Sequence, residues 1–106
     1  MKVISIEELK QKASSENDLH IIDVRELSEY DEDNIGALHL PLSQISQYQI
    51  DEIEDWDMDD EIIVHCRSGQ RSAQACLILE GMGYSNVVNV DGGIVAWRER
   101  FGSERL

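Results

Sequence analysis

The sequence predicts an α/β domain built on a mainly parallel β-sheet. Short apolar runs rich in β-branched residues recur along the chain, and Leu19–Val24 and Ile62–His65 are the clearest of them. Such uninterrupted runs are typical of strands that are covered on both faces of a parallel sheet. Stretches with apolar residues at helical spacing separate these runs. Strands alternating with helices over 106 residues indicate one α/β domain, residues 1–106.

Five segments are candidate strands. They are short, apolar and bounded by polar or turn-forming residues, and they are Val3–Ile6, Leu19–Val24, Ala37–Leu40, Ile62–His65 and Asn86–Val90. Pro41 ends the third candidate, and Asp91-Gly92-Gly93 forms a turn signal after the last. The order of the strands within the sheet does not follow from these patterns.

The strongest helix prediction is Ser72–Met82. Ala75, Ile78, Leu79 and Met82 form one apolar face, and Ala73, Cys76 and Leu77 form a second face beside it. We therefore expect this helix in the interior, against the sheet, and ended by Gly81 and Gly83. Three weaker helix candidates are Ile6–Ala13, Arg25–Asp31 and Ile94–Arg100, the last anchored by Trp97. The segment Leu42–Ile53 has mixed spacing, so no regular helix is predicted there.

The charge distribution excludes some functions. The chain has 22 acidic and 9 basic residues, a net charge of −13, and 13 of the acids lie between Arg25 and Arg67, where no Lys or Arg occurs. The negative electrostatic field of such a chain repels the phosphate groups of nucleic acids and anionic lipids. We therefore expect neither nucleic-acid nor membrane binding. The acidic stretch 51–61 is interpreted as a solvated surface, with docking of a basic partner as the alternative. Within it, Trp56 is expected to cover the core as a hydrophobic lid.

Cysteine usage and the absence of a targeting segment favour a cytoplasmic location. The first residues lack the apolar core of a signal peptide, and no apolar run approaches the ~20 residues of a membrane helix. Two cysteines ten residues apart, Cys66 and Cys76, do not make a disulfide framework. Cys76 is expected to pack in a helix, and no metal site or cofactor is indicated.

One segment carries residues suited to chemistry. The strand Ile62–His65 is followed by Cys66, by a short polar loop and then by the predicted helix. Ligands of open α/β sheets bind at the carboxyl ends of strands, which is where this order places the sulfur. The loop is short enough to curl around that sulfur, so that its backbone N–H groups form an anion-binding cradle.

Such surroundings suffice to activate a thiol. A free cysteine has a pKa of about 8.5, so only a few per cent is thiolate at neutral pH. Lowering that pKa by ~2 requires ~2.7 kcal/mol. A helix N-terminus supplies ~0.3–1 kcal/mol and each charge-assisted hydrogen bond ~1.5–3 kcal/mol. Arg67 and Arg71 also flank the loop. The polar residues that crowd the loop after Cys66 are explained better by a reactive thiol than by a cysteine that only packs as a small apolar side chain.

With these motifs the sequence resembles the rhodanese family of sulfurtransferases over nearly its whole length. Four segments resemble family motifs in the family's order: Asp23–Glu26, Asn34–Pro41, Cys66–Ser72 and Asp91–Trp97. One departure is Asp33-Asn34, which stands where the family usually has Gly-His. The resemblance implies a five-stranded, mainly parallel sheet flanked by helices on both sides.

The resemblance also implies a chemistry for this chain. Cys66 would carry a sulfane sulfur as a persulfide, taken from a small anionic donor such as thiosulfate and passed to cyanide or a thiol. A protein donor or acceptor is also conceivable. Arg67 and Arg71 would attract the donor, and Asp23 and Arg25 would form an internal ion pair that supports the loop. The residues whose backbone would cradle the persulfide are Arg67, Ser68, Gly69, Gln70, Arg71 and Ser72.

Two other functions remain open. Phosphatases related to this family have five residues between the cysteine and the arginine, whereas Cys66 and Arg71 are separated by four. The shorter loop fits a single sulfur better than a phosphoryl group. The second alternative is a non-catalytic module that docks a partner through its acidic surface. His65 lies on the strand face opposite to Cys66, so packing is expected rather than acid–base work, while Gly92 and Gly93 are expected to serve a turn.

Overall fold

The computed structural model describes all 106 residues as one parallel sheet between helices. The five strands are β1 (Lys2–Ile4), β2 (His20–Asp23), β3 (Leu38–His39), β4 (Ile62–His65) and β5 (Val87–Val90). Their order in the sheet is β1-β5-β4-β2-β3, and every neighbouring pair is parallel. The predicted α/β class with a five-stranded sheet is confirmed, and β4 lies at its centre.

Four helices lie between the strands along the chain, and a fifth follows the last strand. They are α1 (Ile6–Ser15), α2 (Leu27–Glu32), α3 (Leu42–Ser46), α4 (Gln70–Gly81) and α5 (Gly93–Phe101), and a 3₁₀ turn covers Asp51–Ile53. None of these helices is both long and apolar enough to cross a lipid bilayer.

The two faces of the sheet bury separate hydrophobic clusters. Ile22 and Val64 pack with residues of α3 and α4 on one face, whereas Ile21 and Ile63 pack with residues of α1 and α5 on the other. This alternation follows from the strand geometry, in which successive side chains point to opposite faces. Cys66 belongs to the α3–α4 face.

The structure differs from the sequence predictions in details that have physical causes. Strand and helix ends shift by at most two residues, and the segment Leu42–Ile53 divides into α3 and the 3₁₀ turn. The second apolar face predicted for α4 is wrong at Leu77, whose side chain is 61% exposed. Only the side of α4 that meets the sheet and α3 is covered, because one helix cannot bury all its faces in a three-layer domain of this size.

The sheet brings the candidate residues to one edge. Asp23 ends β2, His65 ends β4, and the two residues lie side by side in the parallel register. The helices α2 and α4 begin just beyond these strand ends. Any ligand at this edge therefore meets the N-termini of helices and the side chains that follow β2 and β4.

Candidate active site

The sulfur of Cys66 lies under a loop at the end of the central strand. Cys66 follows β4 directly and is 1% exposed. Gly69 adopts a positive φ of 114°, which turns the chain back so that its backbone N–H donates to Cys66 Sγ at 3.1 Å. The hydroxyl of Ser72, in the first turn of α4, lies 3.3 Å from the same sulfur. The curled loop predicted from the sequence is thus present around Cys66.

The surroundings favour the ionised form of Cys66. Burial raises its pKa, but the Ser72 hydroxyl and the backbone N–H groups of Ser72, Gly69 and Ser68 lower it by more. The net result is a pKa below the ordinary value of a cysteine thiol. These donors stabilise a charge on sulfur because each offers a hydrogen to the thiolate in a site with little water.

The pH dependence of Cys66 alkylation tests this arrangement. We expect the rate of reaction with iodoacetamide to rise with pH to a midpoint below that of a free cysteine thiol, since only the thiolate reacts. The midpoint, rather than the absolute rate, is the relevant readout because burial slows access at every pH. Cys66→Ser should abolish the reaction, and a midpoint at or above that of free cysteine would contradict the stabilisation described here.

The two arginines of the loop have different environments. Arg71 donates to both carboxylate oxygens of Glu29 in α2, at 2.6 and 2.9 Å. This bidentate pair lowers the pKa of Glu29 to about 2 and raises that of Arg71. Arg67 is exposed, and its side chain forms no ion pair. Since the charge of Arg71 is largely offset by Glu29, Arg67 is the loop cation that is free to meet an anion.

A buried ion pair lies behind the loop. Arg25 donates from Nε to both oxygens of Asp23 at 3.1 Å and from Nη2 to Oδ2 at 2.8 Å. Asp23 is fully buried and Arg25 is 5% exposed. Arg25 also donates to the carbonyl oxygen of Asp33 at 2.6 Å. The pair therefore joins the end of β2 to the segment that follows α2.

His65 lies on the opposite side of the strand from the sulfur. It is 1% exposed, its Nδ1 is 3.2 Å from the carbonyl oxygen of Cys66, and its Nε2 has no hydrogen-bond partner. Burial lowers its pKa despite the nearby Asp23 carboxylate, 3.6 Å from Nε2. His65 is therefore buried between the Asp23 carboxylate and the Cys66 carbonyl group, which are its nearest polar neighbours.

A cleft opens beside the loop. Its volume is about 350 Å³. The residues that line it are Arg25, Glu29, Glu32, Asp33, Arg67 and Ile94. Arg67 directly follows Cys66, and the backbone N–H of Ile94 donates to the carbonyl oxygen of Cys66 at 2.9 Å. The cleft therefore lies beside the cysteine loop, lined by the residue that follows Cys66 and by the residue that binds its carbonyl group.

The first turn of α5 binds the cysteine loop through two backbone hydrogen bonds. The N–H of Ile94 reaches the Cys66 carbonyl, and the N–H of Val95 reaches the Arg67 carbonyl at 3.1 Å. This docking requires a glycine at the start of α5, because a Cβ on Gly93 would lie 2.4 Å from the Cys66 carbonyl oxygen. The sequence predicted only a turn at Gly93, and the structure adds this close approach.

Two residues near the sulfur were not singled out from the sequence. Glu29, the partner of Arg71, was one acid among several in an acidic stretch. Asn89 in β5 accepts a hydrogen bond from Ser72 Oγ and donates to the carbonyl oxygen of Gly69. In the sequence, Asn89 is distinguished only as the polar residue of the otherwise apolar strand Val87–Val90.

The second cysteine and the acidic segment lie outside the cysteine loop. Cys76 is buried and free in α4, and burial is the main cause that raises its pKa to about 12. Trp56 stacks on His20 with ring centroids 3.8 Å apart and packs against the core. Three carboxylates of the acidic segment converge within 4.8 Å, those of Asp57, Asp59 and Asp60. They lie at the surface, where acidic groups are common without a metal.

The fold and the site together define an α/β domain with a parallel sheet and a cysteine held in a glycine-containing loop at the end of its central strand. The rhodanese-like domain model matches residues 5–100 of this chain, and the chain belongs to that family.

Individual relatives agree with this assignment. The chain is 38% identical to a sulfurtransferase of Allochromatium vinosum over 95 residues, which is 89% of this chain and 85% of that protein. It is also 38% identical to YrkF of Bacillus subtilis over 95 residues, or 89% of this chain, and it spans about half (49%) of that longer protein. The crystal structure of a rhodanese-like domain protein from Staphylococcus aureus superposes with a TM-score of 0.79 and 33% identity, covering 92% of this chain and 91% of that one.

Proposed function

We propose that this protein is a sulfurtransferase that carries a sulfane sulfur as a persulfide on Cys66. The observation that carries the proposal is the position of Sγ, which accepts the N–H of Gly69 at 3.1 Å at the end of the central strand. The loop donors that stabilise a thiolate there would equally suit the terminal sulfur of a persulfide. The relatives that share the family and are named as sulfurtransferases support the same reaction.

Loading begins with the Cys66 thiolate. With thiosulfate as donor, Sγ attacks the outer sulfur, a new S–S bond forms, and the bond to the sulfonate sulfur breaks. Sulfite leaves with that electron pair, and Cys66 becomes a persulfide. Arg67, exposed beside the cleft and without an ion pair, is placed to attract the dianionic donor. Arg71 contributes less attraction because Glu29 binds it.

The second step transfers the outer sulfur to an acceptor and restores the Cys66 thiolate. A thiolate or cyanide acceptor attacks the outer sulfur of the persulfide through the cleft. The bond between that sulfur and Sγ breaks, and the electron pair returns to Sγ as the Cys66 thiolate. No oxidant or metal enters either step. The net reaction moves one sulfur atom from donor to acceptor, with sulfite as the other product when thiosulfate is the donor.

Intact-mass measurement tests the proposal. We expect the reduced protein to gain one sulfur atom on incubation with thiosulfate and to lose it on addition of cyanide. Cys66→Ser should gain none, whereas Cys76→Ala should behave like the parent, because Cys76 is buried in α4 and ordinarily protonated.

Three further measurements on the parent protein and Cys66→Ser separate the alternatives. A docking module would keep its partner binding in Cys66→Ser and would gain no sulfur in the parent protein. If the parent gains no sulfur while Cys66 still reacts with iodoacetamide, thiosulfate is not the donor. Hydrolysis of an aryl phosphate that depends on Cys66 would instead favour the phosphatase alternative.

A further inference from the structure

Four groups around the sulfur form a closed ring of hydrogen bonds. Cys66 Sγ contacts Ser72 Oγ at 3.3 Å, and Ser72 Oγ contacts Asn89 Oδ1 at 2.5 Å. The Asn89 Nδ2 donates to the Gly69 carbonyl oxygen at 3.2 Å, and the Gly69 N–H donates to Sγ at 3.1 Å. Ser72 is fully buried, and Asn89 is 7% exposed. Little water can therefore replace a contact that the ring loses.

The directions of these bonds follow from the groups themselves. A carbonyl oxygen only accepts, so the Asn89 amide must present its nitrogen to Gly69 and its oxygen to Ser72. That oxygen also only accepts, so Ser72 must donate its single hydroxyl proton to Asn89. Ser72 then has only lone pairs to offer Cys66. The arrangement is complete when Cys66 is a neutral thiol whose S–H donates to Ser72.

A thiolate breaks this pattern. Once Sγ has lost its proton, both Sγ and Asn89 Oδ1 require the one proton of Ser72. If Ser72 turns to the sulfur, the buried Asn89 oxygen is left without a donor, which is costly in an interior with little water. We propose that Asn89 is a positioning residue that controls protonation of the active-site sulfur by competing with it for the Ser72 hydroxyl proton.

The competition between Sγ and Asn89 for the Ser72 proton has a consequence for sulfur transfer. This consequence rests on the proposed function. In the neutral thiol and in the persulfide, Sγ itself is uncharged and Ser72 donates to Asn89. In the thiolate that attacks the donor, and that leaves when the acceptor attacks, Ser72 donates to Sγ instead. Asn89 thus favours the neutral thiol and the persulfide over the reactive thiolate.

Other charged groups near the sulfur stay outside the ring. On α4, Arg71 is bound to Glu29, and Cys76 is a buried thiol. On β4, His65 contacts the Cys66 carbonyl rather than the sulfur. None of the hydrogen bonds or ion pairs of these groups involves Ser72 or Asn89, so we attribute a change in the titration of Cys66 in these variants to the ring.

The pH profile of Cys66 alkylation tests the competition. In Asn89→Leu, a replacement of similar size, Ser72 is free to donate to the thiolate. We expect the midpoint to fall by about half to one pH unit, so that alkylation below the midpoint is about three- to tenfold faster. In Ser72→Ala the thiolate loses a donor, and the midpoint should rise.

The double variant distinguishes competition from a general disturbance. In the Ser72→Ala background there is no proton to compete for, so adding Asn89→Leu should leave the midpoint unchanged. An unchanged or raised midpoint in the single Asn89→Leu variant would overturn the proposal. So would an equal fall in both backgrounds, which would trace the effect to the Gly69 carbonyl.

Two provisions keep the test decisive. Each variant is first shown to be folded at the assay temperature by thermal unfolding, and Asn89→Ala replaces Asn89→Leu if the latter is unfolded. The ultraviolet absorbance of the thiolate gives the same midpoint without any reagent entering the cleft. Neither measurement uses a sulfur donor, so its outcome is independent of whether thiosulfate loads the protein.

Discussion

Replacing Gly93 by alanine is expected to destabilise the protein by about 4 kcal/mol or more, which is exceptional for a single substitution. The new Cβ would lie 2.4 Å from the Cys66 carbonyl oxygen and 2.5 Å from that of Arg67. Both atoms belong to the backbone, so the start of α5 must move and the N–H of Ile94 loses its acceptor. Equilibrium unfolding in urea measures the loss. In the fraction of the variant that still folds, the pH midpoint of Cys66 alkylation should rise toward that of a free cysteine.

Gly83→Ala is the matched control. Gly83 also has a positive φ, 109°, but the nearest atom to its added Cβ is the flexible Met58 Sδ at 3.7 Å. We expect a loss of about 1–2 kcal/mol from the left-handed backbone alone. Unfolding of the two variants at the same urea concentration would show that backbone conformation, and not the close approach to the cysteine loop, determines the need for glycine at position 93.

The second large effect is expected at the buried ion pair. Asp23→Ala leaves the Arg25 guanidinium unpaired in a site that is 5% exposed. Removal of one partner of a buried pair typically costs about 3–5 kcal/mol, and we expect a loss in that range. Arg25→Met should be comparably damaging, because it strands the fully buried Asp23 carboxylate and also removes the donor to the Asp33 carbonyl.

A double variant shows whether these losses arise from unpaired charge. Asp23→Ala combined with Arg25→Met leaves no buried charge, so its loss should be smaller than the sum of the single losses by about 1–3 kcal/mol. Urea unfolding of the four proteins gives the coupling free energy. Additive losses would mean that packing, rather than charge, holds this edge of the sheet together.

The parts of the fold that could be predicted are those encoded locally. The strand Ile62–His65 is a continuous β-branched run, and the cysteine follows it immediately, so the position of Sγ at a strand end required no tertiary information. The ion pair of Asp23 and Arg25 is also expected, because both residues lie at the end of another predicted strand in a segment that resembles a family motif.

The parts that could not be predicted depend on contacts between distant segments. Glu29 binds Arg71 across 42 positions of sequence, and nothing in the acidic stretch distinguishes it from its neighbours. Leu77 was assigned to a covered face because helical spacing marks apolar positions but not which of them meet the sheet. Asn89 reaches Ser72 and Gly69 only because β5 lies next to β4 in the sheet. Local sequence patterns do not determine that strand order.

The docking of α5 under the cysteine loop also determines when during synthesis the site can exist. A nascent chain is made from its amino end, and its domains fold as their residues become available. The carbonyl groups of Cys66 and Arg67 receive their donors from Ile94 and Val95 of α5, which are made after the cysteine loop. A ribosome-bound chain that stops before these residues therefore has β4 and its cysteine but no finished loop. The loop around the sulfur is completed only when the chain has been made as far as α5.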